Sequence, residues 1–409
     1  MTSTTLAAGH SRAADFRIIG LVGSAHFVSH VYILILPPLF PFLRAEFGVS
    51  FTELGAAIAL FNILSALLQT PAGYLVDRTS AKTVLVGGLV LGAISLVAAA
   101  VAPSFLIFTL MFALLGIANT AYHPADYALL STRISPARTG QAFSIHIFAG
   151  FIGTAVTPAL MLMLAAWFGW RGAFLAGAAL GFVSALAIVL FGDVLSGREA
   201  AHAKAAAKDG EPVVSSGSIL MSMPVILNLL FFMLIAIVSV GAQGYAIVAL
   251  QALWNMPLSE AATALTVYLT MSAFAVLAGG VLASRTERHD VVAMIGLAAS
   301  GAALLPIAFI DFNMALLFGL MAVSGFFNGL IQPSRDMIVR AVTPPGAFGR
   351  VFGFVTTGFN IGGILAPPAF GYMMDHGAPH IVILATALCS LLAIPTVMVT
   401  VAQRKAAAV

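Results

Sequence analysis

The sequence predicts an all-α integral membrane protein with twelve transmembrane helices arranged as two six-helix repeats. Its composition is 61% hydrophobic and only 8% charged, whereas soluble domains carry roughly 25% charged residues. Apolar runs of about 20 residues, each long enough to cross a bilayer, recur along the whole chain. Patterns in the first part of the chain also return 207 to 209 residues later. These observations indicate a membrane protein built from two halves of like orientation.

The predicted spans, numbered 1 to 12, are each justified by one apolar run. The first six are 17–43, 53–75, 83–102, 104–132, 141–167 and 171–193. The second six are 218–244, 261–284, 291–310, 314–341, 350–373 and 380–403.

The spans divide the chain into five parts. A short polar tail (1–16) without a signal-peptide pattern precedes the first half (17–193). An Ala-, Lys- and Ser-rich stretch (194–217) is predicted to be a flexible linker. The second half (218–403) and a second tail (404–409) follow. The single cysteine, Cys389, excludes an internal disulfide.

The internal repeat consists mainly of glycine and proline. Gly73 to Thr79 recurs as Gly280 to Thr286. Because glycine and proline fix bends and close packing, the two halves are predicted to share a backbone plan. The further matches are Gly116, Asn119, Pro124, Pro136, Gly140, Gly153 and Pro158 with Gly325, Asn328, Pro333, Pro345, Gly349, Gly362 and Pro367.

The basic residues predict the orientation. Of the 18 Lys and Arg, 15 fall on one side of the predicted spans. Arg44 and Arg171 fall on the other side, and Arg335 lies inside span 10. The positive-inside rule places both termini and the linker in the cytoplasm of a cell whose inner (plasma) membrane holds the protein. This sorting explains the pI of 9.2, so no nucleic-acid partner is expected.

Ionisable groups inside spans are costly and usually functional. His26 and His30 are four residues apart and share a face of span 1. His123 and Asp126 lie in span 4. His26 and His123 are each about 15 Å from a helix end, near the midplane, where transporters bind solutes. Additional candidates for solute binding are Tyr122, Gln243 and Gln332, and Gln332 matches His123 in the repeat.

Arg335 matches Asp126 in the repeat, so one half offers a guanidinium where the other offers a carboxylate. A guanidinium fits a carboxylate or a phosphonate. Arg335 therefore either holds an anionic group of a solute or forms a salt bridge to Asp336 or Asp126.

His123 precedes Pro124, which is predicted to bend span 4, as Pro333 does span 10. His123 with Asp126 either carries a proton or donates a hydrogen bond that holds the bend. Asp336 is a further proton-coupling candidate. His146, near the end of span 5, is expected to be structural or part of a gate.

Two motifs resemble the major facilitator superfamily. Gly73-x-Leu75-x-Asp77-Arg78 with Lys82, between spans 2 and 3, is similar to its signature loop, although Ser80 and Ala81 depart from the usual pattern. Gly358 to Gly363, continuing to Pro367 and Asp375, is similar to its span 11. Shorter stretches resemble fosmidomycin-resistance-type exporters: Leu67 to Tyr74, Tyr122 to Pro124 and Gly140 to Ser144.

The resemblance implies that spans 1, 4, 7 and 10 line a cavity between two rocking halves. It also implies that Asp77 docks on the start of span 11, near Gly349 or Arg350, and on Arg133. The gate residues would be Gly73, Asp77, Arg78, Lys82 and Arg133. Ser284 occupies the matching position in the second half, so this lock is one-sided.

The sequence thus predicts a secondary transporter that moves a small organic anion by alternating access, coupled to protons, with export favoured. Only the bilayer, the solute and protons are expected as partners of a monomer. No cofactor or resident metal is expected. The chain lacks the Gly-x-Ser-x-Gly and His-Glu-x-x-His motifs of enzymes and the P-loop of ATP-driven proteins. The alternatives are cationic multidrug efflux through Asp126, a divalent-metal carrier using His26, His30, His123 and Asp126, and a membrane sensor.

Overall fold

The computed structural model describes residues 12–135, 138–196, 220–343 and 348–406, and it describes their side chains except at 348–350 and 404–406. Several predictions fall outside these residues. They are the conformation of most of the linker and of the tails, the matched prolines Pro136 and Pro345, and the side-chain contacts of Gly349 and Arg350.

The first half consists of helices that match spans 1 to 6. Span 1 is Arg12–Leu34, extended by the turn Pro37–Leu39 and the helix Phe40–Phe47. Spans 2 and 3 are Phe51–Arg78 and Ala81–Ala100. Span 4 has two pieces, Phe105–Asn119 and Tyr122–Arg133, and the helix Thr139–Phe191 contains spans 5 and 6 before the turn Gly192–Leu195.

The second half contains spans 7 to 12. Span 7 comprises Met223–Ser239, a π-helical turn Val240–Tyr245 and Ala246–Trp254. Span 8 is Leu258–Arg285, and span 9 is His289–Leu304 with the turn Leu305–Ala308. Spans 10, 11 and 12 are Met314–Val342, Phe348–Asp375 and Pro379–Ala406.

The described residues form 11 helical stretches long and apolar enough to cross a membrane. One of them, Thr139–Leu195, is interrupted at Gly169, whose φ of 70° and ψ of 169° are not helical. Only glycine adopts such a backbone readily. This break divides spans 5 and 6, so the prediction of twelve membrane-spanning helices and of an all-α fold is confirmed.

Proline acts differently in the matched spans 4 and 10. Span 4 is interrupted between Asn119 and Tyr122, just before Pro124. Because Pro124 lacks an amide hydrogen, it fits the first turn of the second piece. Span 10 continues as one helix through Pro333. The halves therefore share helix order while differing in local backbone.

Serine and asparagine caps start several helices. The Ser50 hydroxyl accepts a hydrogen bond from the amide of Glu53, whose carboxylate accepts one from the amide of Ser50. Ser104 caps span 4 and Asn313 caps span 10 through their side-chain oxygens. Such caps satisfy amides that a helix leaves unpaired at its first turn.

The molecule has two distinct ends. We call the end with Arg78 and Arg133 the basic end and the end with Gly48 and Asp375 the opposite end. At the basic end the first half is tied within itself, because Arg138 pairs with Asp15 at 2.6 Å and Arg17 pairs with Asp193. The first half is thus suited to move as one body.

The halves meet at the opposite end and separate toward the basic end. The Asn62 amide in span 2 donates to the carbonyl of Gly363 in span 11 at 2.7 Å. Phe148 of span 5 and Phe274 of span 8 also make a ring contact between the halves, with centroids 6.2 Å apart. Toward the basic end span 2 is exposed, with Leu67 at 67% and Tyr74 at 62%. The structure is therefore open toward the basic end.

Candidate functional site

Two histidines of span 1 pack directly against span 5. A Cβ built on Gly150 would lie 2.7 Å from Nε2 of both His26 and His30. Real Cβ atoms do not approach so closely. Glycine at this position therefore gives the two imidazoles room beside span 5, a requirement of packing rather than of backbone conformation.

Asp126 of span 4 lies beneath these rings and is fully buried. Its Oδ2 is 3.3 Å from Nδ1 of His26 and 3.9 Å from Nε2 of His146. The rings of His26 and His146 stack, with centroids 3.7 Å apart. Spans 1, 4 and 5 therefore bring two imidazoles and one carboxylate together inside the first half.

His30 and His123 complete what we call the histidine cluster: His26, His30, His123, Asp126 and His146. The His26 ring centroid is 4.7 Å from that of His30 and 5.4 Å from that of His123. Nδ1 of His30 is 2.8 Å from the hydroxyl of Thr154, so one donates to the other. Four of the predicted site residues thus lie together.

Tyr127 packs beside the histidine cluster and is partly exposed. Its ring stacks on His123, with centroids 6.1 Å apart, and on Phe143 at 5.5 Å. It is 46% exposed and lies within electrostatic range of Asp126, Asp336 and Arg335. Tyr127 therefore lies near charged groups of both halves.

The cluster contains many buried atoms without hydrogen-bond partners. Both oxygens of Asp126, both ring nitrogens of His146, and Nδ1 of His26 and of His123 have none among the described residues. Buried polar atoms are nearly always satisfied, and an unsatisfied one costs about 1–3 kcal/mol. Such a concentration makes the cluster a candidate site for a proton, an ion or a solute.

His146 was not predicted to belong with the other histidines, because its position near the end of span 5 favours a structural or gate role. It lies beside Asp126 instead. A usable signal was present, since His146, Gly150 and Gly153 fall at helical spacing on one face of span 5.

The second half presents a different arrangement around Arg335. Nε of Arg335 donates to Oδ1 of Asp336 at 2.8 Å, and Nη1 donates to Oε1 of Gln332. The guanidinium carbon lies 4.8 Å from the ring centroid of Phe232 and 5.2 Å from that of Phe359. Of the two salt-bridge partners predicted for Arg335, the structure has Asp336 and not Asp126.

Two predicted site residues, Tyr122 and Gln243, contact neither the histidine cluster nor Arg335 through a hydrogen bond or a ring contact recorded for the described residues. Tyr122 is buried, and its hydroxyl has no partner among the described residues. Gln243 is half-buried in the π-helical turn of span 7.

The predicted gate residues lie at the open end. Asp77 and Arg78 are exposed and form no ion pair with a described residue. Nε and Nη2 of Arg133 are buried, and no residue in the described part of the chain accepts a hydrogen bond from them. Gly73 has open space beside it, and Lys82 lies near Gly192. Because the molecule is open here, the lock that closes this end stays a prediction.

A latch that the sequence did not predict lies at the opposite end. The carboxylate of Asp375, ending span 11, accepts hydrogen bonds from the amides of Phe51 and Thr52, both at 2.8 Å, and from the Thr52 hydroxyl at 2.6 Å. A carboxylate at a helix N-terminus also opposes the helix dipole favourably. Asp375 therefore holds span 2 of one half to span 11 of the other.

Comparisons with known proteins agree with this architecture. A family model described as Major Facilitator Superfamily matches residues 22–249 and again residues 229–408. The fosmidomycin resistance protein of Escherichia coli (strain K12) is 24% identical over 94% of this chain and 92% of its own. A homologue of the multi-drug resistance efflux pump PmrA, from Lactococcus lactis subsp. lactis (strain IL1403), is 24% identical over 83% of this chain and 84% of its own.

A solved structure has the same fold. It is a bacterial homologue of the human lysosomal transporter Spinster, in an inward-facing and occupied conformation. Its TM-score is 0.76 at 15% identity, covering 95% of this chain and 97% of that chain. At this identity the likeness concerns the fold alone. The resemblance drawn from the sequence motifs is confirmed.

Proposed function

Because the chain belongs to the major facilitator superfamily, it is a membrane transporter rather than an enzyme, and we propose that it moves a small organic anion coupled to protons. The two halves alternate access to a central site. Arg335 binds the anion, and the histidine cluster carries the protons. One chain supplies the whole path, and export is the favoured direction.

The observation that carries this proposal is the surrounding of Arg335. Its guanidinium cannot lose its charge and is only 14% exposed, whereas its partner Asp336 is 47% exposed. Nη2 has no hydrogen bond to a described residue. A carboxylate or phosphonate can therefore bind the free edge of the guanidinium or replace Asp336, while Phe232 and Phe359 keep the cation in place.

The histidine cluster supports proton coupling. His123 and Asp126 were predicted as proton carriers, and imidazole changes charge near neutral pH. The unpartnered atoms of His26, Asp126 and His146 provide places for a proton to be held. Tyr127 lies near Asp126, Asp336 and Arg335, so the proton site and the anion site are close enough for a charge at one to affect the other.

The open basic end is the state in which an exporter takes up its solute. In the proposed orientation both termini and the basic end face the cytoplasm of a cell whose inner membrane holds the protein. A cytoplasmic anion then reaches Arg335 directly. Closing this end requires the latch of Asp375 on span 2 to release, so that the opposite end opens.

A panel of ligands tests the anion site first. Thermal stability of the purified protein would be measured with small carboxylates and phosphonates, lipophilic cations and divalent metals. Fosmidomycin belongs in the panel because the name of one relative refers to it. We expect anions to stabilise the wild type and Arg340→Gln, a control on the same helix, but not Arg335→Gln.

Flux in proteoliposomes tests the transport itself. We expect uptake of a stabilising anion to rise with an imposed proton gradient and to be lost in Arg335→Gln. Anion stabilisation that persists in Arg335→Gln would refute the role of Arg335. Anion flux indifferent to the gradient would refute proton coupling.

Cationic multidrug efflux is a second candidate, because Asp126 is a buried carboxylate without a hydrogen bond to any described residue and one relative is named as a multi-drug efflux pump. Under this alternative only lipophilic cations stabilise the protein, and Asp126→Asn abolishes the effect. Arg335 then has a structural role.

A further inference from the structure

We propose that His26, Asp126 and His146 form a binding site for one divalent transition-metal ion of the Zn²⁺ type. This inference does not depend on the anion path through Arg335. It concerns three side chains from three different spans of the first half, and metal binding to them can be measured whether or not an anion is transported.

The geometry of the donor atoms carries the proposal. One ligand atom from each of the three residues lies within 4.8 Å of the other two. The Asp126 oxygen is 3.3 Å from the His26 nitrogen and 3.9 Å from the His146 nitrogen. Ligands at about 2.1 Å from a tetrahedral Zn²⁺ are separated by about 3.4 Å, so the pair Asp126 and His26 already has the required spacing and the His146 nitrogen must move closer.

The donor atoms are also free to bind. Nδ1 of His26, both oxygens of Asp126 and Nε2 of His146 have no hydrogen-bond partner among the described residues. All three side chains are at least nine-tenths buried, at 5%, 0% and 1% exposed. A bound cation would satisfy these atoms together, and no described residue offers another partner.

The ligand set indicates the kind of ion. Imidazole with carboxylate suits Zn²⁺ and its neighbours in the first transition row, whereas Mg²⁺ and Ca²⁺ prefer oxygen alone. The stacked rings of His26 and His146 lie at 29° to each other, so His146 must rotate to aim its nitrogen at the ion.

The structure also indicates that the ion exchanges. Three protein ligands leave a fourth position of a tetrahedral site open, as in sites that keep water or substrate. The ring of His123 lies 5.4 Å from that of His26, and the half-exposed Tyr127 lies 6.0 Å from His146, so one neighbour of the site is partly accessible. Because the ligands must be deprotonated to bind metal, metal and protons compete for this cluster.

Titration of the tag-free full chain in detergent with ZnCl₂ tests the proposal. We expect one ion per chain, binding that weakens as the pH falls, and at least about a tenfold loss of affinity in His26→Gln and in Asp126→Asn. His376→Gln, which alters an exposed histidine at the end of span 11, should bind as the wild type does. No binding to the wild type, or equal binding to all variants, would overturn the proposal.

X-ray absorption at the zinc edge identifies the atoms around Zn²⁺ in the wild-type protein. This measurement tests the proposal even if a variant fails to fold. We expect two imidazole nitrogens and one carboxylate oxygen around the ion. A shell of oxygen alone would mean adventitious binding elsewhere. Anion flux, measured separately, distinguishes failure of this site from failure of the proposed function.

Discussion

The two halves follow one backbone plan but place opposite chemistry at matched positions. Asp126 and Arg335 each lie seven residues before the end of their helix. Asp126 is fully buried among imidazoles and has no hydrogen bond to a described residue. Arg335 is held by Asp336, Gln332 and two phenyl rings. The first half is therefore poised to take up a positive charge, and the second half presents one permanently.

This difference shows that two halves with the same helix order can carry different chemical groups. The matched glycines Gly116 and Gly325 preserve close helix packing in both halves, whereas the matched prolines act differently. The side chains at matched positions are free to diverge, because each half packs its own core around them. Under our proposal, coupling arises between the halves, across the space that Tyr127 faces.

Removing the titratable charge of the first half should have the largest effect. In the wild type we expect protonation to change anion affinity by about 5- to 150-fold, the range of typical coupling energies. In Asp126→Asn this change of affinity with pH should be lost. Anion exchange without a gradient should continue. Binding measured across pH checks this, with Glu287→Gln as an exposed control. Unchanged pH dependence would make the two halves independent.

Crowding the histidine cluster should have the next largest effect. Gly150→Ala places a methyl group against His26 and His30, and overpacking typically costs about 1–3 kcal/mol. Thermal unfolding in detergent measures the loss. Gly140→Ala on the same span is the control, because nothing lies within 4 Å of a Cβ there. Equal stability of the two variants would mean that the cluster tolerates displacement.

Weakening the latch should shift the balance between open states. Asp375→Asn removes the charge at the start of span 2, and hydrogen bonds to charged groups contribute about 1.5–3 kcal/mol. Because asparagine still offers one acceptor oxygen, we expect about 1–2 kcal/mol to be lost and the basic end to close more often, by a factor of roughly 5 to 30. The rate at which a thiol reagent labels a cysteine introduced at Tyr127, in a Cys389→Ser background, reports how accessible that position is from the basic end. Labelling should be slower in Asp375→Asn.

The control for the latch is Asp311→Asn, which alters an exposed carboxylate between spans 9 and 10. Its labelling rate should equal that of the protein in which both Asp375 and Asp311 are retained. Faster rather than slower labelling in Asp375→Asn would contradict the assignment of Asp375 as the residue that holds the opposite end closed.

Removing one ring beside Arg335 should have the smallest effect. Phe359→Leu keeps an apolar side chain but removes one cation–π contact, worth about 0.5–2 kcal/mol. Anion affinity should fall by less than in Arg335→Gln. Phe309→Leu, at an exposed ring, is the control. A loss as large as that of Arg335→Gln would place the ring itself in contact with the solute.

Much of the fold could be predicted from the chain because its causes are local. An apolar run of about 20 residues is sufficient to define a span, and the confirmed twelve spans follow from such runs. Motifs at fixed spacing, such as Gly73 to Arg78, identified the superfamily. The grouping of His26 with His30 followed from helical spacing alone.

The tertiary structure decided what depends on how one helix packs against another. His146 joins Asp126 only because spans 4 and 5 meet at that depth and rotation. Asp375 finds the start of span 2 although 323 residues separate it from Thr52. Sequence determined which residues enter the membrane and which share a helix face. Only helix packing decided which faces meet, since contact between distant segments depends on rotation and depth that no local pattern encodes.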